Sequence, residues 1–515
     1  MSNLSGAIRS VLIVGGGSAG WLTATILASK HHHSSDGEGL KIRLIEAPDI
    51  PIVGVGEGTW PGMRHTLRNA GIKEVDFLKE CHASFKQGSK FVGWKTGGEK
   101  DFYYHPFDLP EKFYDADVSQ YWLEGDQEQS FSKASCVQEH LCELDLSPKL
   151  MSSPEYAGVG NYGFHLDAGK FSEFLKRHCT EKLGVELIQD NVTRVNIREN
   201  GDILSVTTKT GDELSADLFV DCTGFRSLLL GEALGVGFVD KSAQMPINSA
   251  LAVQVPYSEE VPIKSATIST AQTAGWVWDI GLSNRRGVGH VYSSAHITDG
   301  EAEQQLQRYL GVSEPQFSNL NPRKLVIQPG YREKFWHKNC VAIGLSAGFL
   351  EPLEASAMMI IEASANFVAD HFPVTRAAMD KVSKKFNARF HYRWQRIIDF
   401  LKLHYVLSDR KEAFWRESAS RESMSSRLIE DMEFWSCQAP SAKEFDRVDE
   451  PFPIASYQYV LYGMGFKTQK RPLGFSEQEK NELLTAQRTV QRNASLLASK
   501  LVPNKRLLDL INAST

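Results

Sequence analysis

No apolar run in this chain approaches the length of a bilayer span, which excludes an integral membrane protein built on helices. The first residues lack the charged-then-apolar pattern of a secretory signal, so a cytoplasmic location is expected. Cysteine is sparse: seven residues, none in a C-x-x-C pair, an odd and scattered set that fits reduced thiols better than a disulfide framework. Excess positive charge is missing too. A formal net charge of −6 gives no electrostatic reason to expect nucleic acid or an anionic membrane as partner. Internal repeats, coiled-coil heptads and low-complexity tracts are absent. His31-His32-His33 lies in a polar stretch with no acid or cysteine ligand beside it, so no metal is expected. What remains is an ordinary globular composition, 42% hydrophobic and 23% charged, in a chain of 515 residues that can bury a large core.

The chain is organised around its first apolar strand, Val11-Leu12-Ile13-Val14, which runs into Gly15-Gly16-Gly17-Ser18-Ala19-Gly20. Gly15-x-Gly17-x-x-Gly20 turns the chain, lets backbone reach a pyrophosphate and opens a helix over Ala19–Ser29, whose first N–H groups suit phosphate oxygens. A second strand, Ile42–Ile45, ends in Glu46, placed to accept from ribose hydroxyls. Strand, turn, helix, strand and acid together predict an adenine-dinucleotide site. The glycine-rich stretch Pro51–Pro61, with Gly56 in it, leaves room beside it for a flat ligand.

Further on, helices are expected over Met63–Ala70, Val75–Phe85 (with Lys86 at or just beyond its end) and Phe171–Leu183, and a strand over Lys90–Trp94. Asp101–Phe107 is densely aromatic and reads equally as a core plug or a pocket wall. Val185–Asp221 reads as a β-meander whose last strand, ending at Asp221, leads into Cys222-Thr223-Gly224, a second close approach to a cofactor. Gly275-Trp276-Val277-Trp278-Asp279-Ile280 alternates with period 2 and puts both tryptophans on one strand face. A helix over Glu301–Leu310 follows, then a strand, Cys340–Ile343, that reaches a third glycine site at Gly344. A long helix is expected from Pro352, suited to a first helical position, which would leave the N–H groups of Ala355, Ser356 and Ala357 unpaired. The remainder reads as mainly helical, interrupted by an aromatic loop over Asp449–Gly465.

One dinucleotide motif followed by two further glycine sites resembles the FAD-dependent aromatic monooxygenase superfamily; no second motif signals an NAD(P)H domain. Within it the chain resembles the flavin-dependent halogenases of the tryptophan-halogenase family. The likeness rests on Gly275–Ile280, which follows the family's G-W-x-W-x-I-P except that Gly281 replaces proline, on Cys81–Lys86, and on Phe349–Glu354. It implies an α/β fold: a Rossmann-type, PHBH-like FAD-binding domain, an inserted β-rich substrate domain, and a mainly helical C-terminal region. The expected division is an interleaved core over 1–370 and a substrate-capping region over 371–515. FAD would bind at Gly15, Gly17, Ser18, Ala19, Gly20, Glu46, Gly56, Asp221, Gly344 and Leu350.

The resemblance also implies an activity. Reduced FAD from a separate NAD(P)H flavin reductase, with O2 and chloride or bromide, yields hypohalous acid. Backbone amides at Ser356 and Ala357 would hold the halide; alanine stands where the family has glycine, which leaves halide preference open, with bromide favoured. Lys86 and Glu354 match the family's essential lysine and glutamate. Lys86 would donate a hydrogen bond to the oxidant or form a haloamine, and Glu354 would orient it or take the proton lost by the arene. Trp276 and Trp278 would part substrate from flavin. Tyr104, His105, Phe107 and Phe452 would surround an aromatic small molecule. The C-terminal constellation that clamps free tryptophan is not seen in Glu444–Tyr457, so an indole or another electron-rich arene is expected instead. A homodimer is a family-level expectation. The competing readings are an FAD-dependent hydroxylase, which has no need of Lys86, Glu354 and the double-tryptophan strand together, and a non-catalytic flavoprotein.

Overall fold

In the computed structural model of the chain, residues 6–31, 39–49, 56–98, 100–125, 127–258, 261–445, 447, 450–470, 472 and 474–513 are described. His32, His33, Pro51–Val55 and Asp449 lie outside them.

The strand Ser10–Val14 sits near the middle of a six-stranded sheet, between Leu218–Asp221 and Lys41–Glu46. Glu186–Gln189 extends it on one side, and Cys340–Ala342 with the antiparallel edge Trp336–His337 on the other. Its central strands are buried on both faces because helices cover them, which is why they read as unbroken apolar runs. Ser18–His31 packs closely with Ser356–Asp370 and Ala168–Glu181. A seven-stranded sheet forms the second layer, with Gly275–Gly281 paired to Arg285–Tyr292 and Thr267–Gln272. Gly88–Val92 and Phe102–Pro106 complete its far edge. A small sheet, Gly56–Gly58, Gly163–Asp167 and Ser84–Lys86, bridges the two layers. Helices dominate after Arg376, the first of them running to Val406. One hydrophobic core joins all these parts.

Four expectations need correction. The helix expected over Val75–Phe85 is Glu74–Glu80; His82 then takes a left-handed conformation (φ 47°) and Ser84–Lys86 pairs with the strand Gly163–Asp167. Lys86 therefore projects from a buried strand rather than a helix end. The meander is confined to Val192–Ser215, because Glu186–Gln189 and Leu218–Asp221 join the parallel sheet. The aromatic stretch before Gly465 is a helix, Ile454–Gly463, buried along nearly its whole length; being covered on every side, it shows no amphipathic period in sequence. The helix expected from Pro352 starts at Ser356, because Glu354 (φ 61°) and Ala355 (φ 53°) are both left-handed.

Among the described residues no helix is long and apolar enough to cross a membrane.

Candidate active site

The glycine loop is fixed by close backbone approach. A Cβ on Gly15 would lie 2.2 Å from the Cys222 carbonyl oxygen, and one on Gly20 1.9 Å from that of Gly15. Gly17, by contrast, borders open space, with nothing within 4 Å of an added Cβ. That space adjoins the first N–H groups of Ser18, Ala19 and Gly20, which have no earlier helical carbonyl to reach. Glu46 folds against Gly16, accepts from Trp21 Nε1 at 3.1 Å and pairs with Lys176. A cradle at Gly17, free N–H groups and an acid at the next strand end fit an adenine dinucleotide.

Gly344 approaches the same helix, where a Cβ would sit 2.6 Å from that of Ala19. It lines one pocket with Leu350, Ser356 and Ala357, so the third glycine site and the expected halide amides are neighbours. Gly56 packs on Ile280 and Gly287. Asp221 is a correction: its carboxylate accepts from Thr223 Oγ1 (2.6 Å) and from the Leu229 and Leu230 amides (2.9 and 2.8 Å), so it closes the following loop rather than facing a ligand.

On the small sheet, Lys86 is only 1% exposed. Its Nζ stands 5.2 Å over the Phe107 ring, and a Cβ on Gly58 would be 3.2 Å from Nζ and 3.3 Å from the Ala355 methyl. Burial pulls the Lys86 pKa down to about 8, against the attraction of Glu354 and Glu57. Burial raises the Glu57 carboxyl to about 7, with Lys86 opposing.

Glu354 is equally enclosed. Its Oε1 lies 2.7 Å from His105 Nδ1 and 3.4 Å from His404 Nε2, while Oε2 has no hydrogen-bond partner. Burial would raise this carboxyl, but His105 and then His404 outweigh it and hold the group well below the usual carboxylate range. His105 is braced by Ser456 at 2.8 Å, and His404 Nδ1 faces the Tyr103 hydroxyl at 2.5 Å. Two consecutive left-handed non-glycine residues cost about 1–2 kcal/mol each, a strain of the kind that clusters at functional sites. Here they separate the short turn Leu353–Ala355 from the helix that starts at Ser356 and leave the Glu354 side chain buried; of the amides expected to be unpaired, that of Ala355 donates to the Pro352 carbonyl at 3.3 Å. Ala355→Gly is expected to raise stability by about 0.5–1 kcal/mol, read from the urea midpoint, because glycine accepts that conformation freely.

The two tryptophans of Gly275–Gly281 are both held in place. Trp276 Nε1 donates to Glu351 Oε2 at 2.6 Å, and the Tyr405 hydroxyl donates to the same oxygen at 2.6 Å. Burial lifts the Glu351 carboxyl to about 7, against those two donors. Trp278 lies flat over Gly289, whose hydrogen is the only substituent that fits there: a Cβ would be 2.1 Å from the ring.

Of the expected substrate residues, Phe107 and Phe452 stand near Lys86 and Glu354, linked through Trp60 at 5.2 and 5.4 Å between ring centroids. His105 braces Glu354. Tyr104 is a correction: alternation along Phe102–Pro106 turns it to the opposite face from Tyr103 and His105, where it meets Glu143 and Lys90. Sequence reading did not single out Trp60, Glu57, Glu351, His404 or Tyr405. For Glu351 the sole signal was its place three residues before Glu354; His404 and Tyr405 were hidden in a long helix.

The model of the tryptophan halogenase family matches residues 10–476. The tryptophan 6-halogenase ThaL of Streptomyces albogriseolus is 35% identical over 79% of this chain and 78% of its own. A tryptophan halogenase from Shewanella frigidimarina NCIMB 400 superposes with a TM-score of 0.95 at 45% identity, covering 99% of this chain and 98% of that one. Tar14, a tryptophan C-6 flavin-dependent halogenase from taromycin biosynthesis, gives 0.91 at 32% identity over 98% and 100%. The parallel sheet, the glycine loop and these matches agree: the chain belongs to the tryptophan halogenase family and is a flavin-dependent aromatic halogenase.

Proposed function

We propose that this enzyme halogenates an electron-rich arene without a free amino-acid group, an indole or another electron-rich ring, through Lys86 and Glu354. The observation that carries the reading is the enclosure of both side chains, 1% and 4% exposed, beside the aromatic rings of Trp60, Phe107 and Phe452. Reduced flavin, supplied by a separate reductase and bound at Gly15–Gly20, would provide the oxidising chemistry that takes O2 and chloride or bromide to hypohalous acid. Ser356 and Ala357 amides hold the halide at the helix start, where the dipole favours an anion. Trp276 and Trp278, immobilised by Glu351 and by Gly289, keep the arene away from the flavin.

Lys86 then receives the hypohalous acid. Its ammonium, favoured by Glu354 and Glu57, donates a hydrogen bond to the acid's oxygen and draws electrons from the halogen. The O–halogen bond breaks as the arene carbon takes the halogen; the oxygen takes a proton from the Lys86 ammonium and leaves as water, the arene proton passes to Glu354, and from there it restores the Lys86 ammonium. The region 371–515 caps this side: it contributes His404, Phe452 and Ser456 to the surroundings of Glu354. A clamp for the amino and carboxyl groups of free tryptophan is not part of the reading.

The test is incubation with FAD, a flavin reductase, NADH and bromide or chloride over a panel of indoles and phenols, followed by mass spectrometry. Halide-dependent mass shifts support the reading; hydroxylated products, or NADPH consumption by this chain alone, contradict it. With a Lys86 pKa of about 8 and the ammonium as the working form, halogenation falls as pH rises through 8, while flavin oxidation does not share that midpoint. A profile flat to pH 10 argues against the ammonium.

A further inference from the structure

The aromatic slot beside Glu354 already holds an indole. Trp60 follows the strand Gly56–Gly58 and brings its ring among three residues expected to face the substrate. The centroid separations are 5.9 Å to His105, 5.2 Å to Phe107 and 5.4 Å to Phe452. Its Nε1–H donates to the backbone carbonyl of Glu354 at 2.8 Å. Two of those walls cannot retreat: Phe452 is stacked on Phe400 at 3.9 Å, and His105 is held between Glu354 and Ser456. Trp60 and Phe107 are half-buried, so the open side of the slot is theirs. Lys86 Nζ stands over that same Phe107 ring, which places the filled slot next to the amine of the proposed reaction.

A ring with this placement does two things. It takes up the space that a second fused ring of a substrate would need, and it satisfies the carbonyl that an incoming N–H donor would otherwise bind. We propose that Trp60 is a specificity-determining residue: it fills the two-ring slot between Phe107 and Phe452, so the enzyme favours single-ring electron-rich arenes, stacked on the open face of Trp60, over free indoles. This deepens the reading of the Lys86 and Glu354 site and rests on it.

The test uses wild type, Trp60→Val and Trp60→Phe. Binding of indole, N-methylindole and phenol is measured by calorimetry without flavin or halide, and kcat and KM for indole and phenol are then measured in the complete halogenation mixture. Wild type is expected to prefer phenol. Trp60→Val opens the slot and binds indole at least about tenfold tighter than wild type, with a matching fall in KM. N-Methylindole, without a donor for the Glu354 carbonyl, gains less. Trp60→Phe keeps one ring and gains part of the effect, and it carries the test alone if the valine variant does not fold. A purely structural Trp60 would weaken indole and phenol together and lower the melting temperature; that result, or an unchanged indole-to-phenol ratio in a folded variant, overturns the proposal. The binding arms need neither flavin nor halide, so their failure is separate from failure of the proposed reaction, which Lys86→Ala reads.

Discussion

Lys86→Ala is expected to lower halogenation by at least about a thousandfold while flavin-dependent oxygen consumption continues. The two activities separate because the amine's neighbours are Phe107, Gly58 and Ala355, none of them part of the glycine loop. The fold is expected to survive. Burial disfavours the Lys86 charge and has already raised Glu57 to about 7, so on loss of the cation Glu57 takes up a proton instead of standing as an uncompensated buried anion. Product mass, oxygen uptake and the melting curve are read on one preparation. Unchanged product removes Lys86 from the mechanism; loss of oxygen uptake along with product would mean damage to the flavin site.

Glu354→Gln is expected to cost about 10²–10³ in kcat, the range of a positioned base. The amide keeps the side-chain shape and leaves the backbone carbonyl that Trp60 uses, so arene binding is retained. Because burial is outweighed by His105 and His404, Glu354 stays ionised down to well below pH 4.5. Its contribution to stability is therefore complete above the unfolded-state value near 4.5 and is lost only as pH falls below it toward the folded value. Wild-type activity is expected to show no acid limb from Glu354 between pH 5 and 7. A limb near pH 6 that vanishes in Glu354→Gln would contradict the assignment.

The elements that sequence resolved are those with a local signature. The strand Ser10–Val14, the helix Ser18–His31 and Glu46 follow from an apolar run, a glycine spacing and an acid at a strand end. Trp276 and Trp278 follow from period 2. Lys86 and Glu354 were legible only through family motifs, since nothing near either residue in the chain says it is buried. The details that failed depend on partners far away. Ser84–Lys86 is a strand only because Gly163–Asp167 is there to pair with it. Ile454–Gly463 hides its helical character because both its faces are covered. Glu354 and His404 meet across the fold, and His105 joins them from the edge of the second sheet. Tyr104 was misplaced for a simpler reason: on a strand, neighbours of His105 point the other way.

The central claim is that oxidised halogen reaches the arene through the protein interior and by way of Lys86. Halogenation in a large excess of taurine, an amine that captures free hypohalous acid, tests it most directly. Wild type is expected to keep its product yield and leave taurine almost unmodified, whereas Lys86→Ala sends the halogen to taurine and none to the arene. Product that declines in proportion to added taurine would mean the oxidant travels through bulk solvent, and would contradict the account.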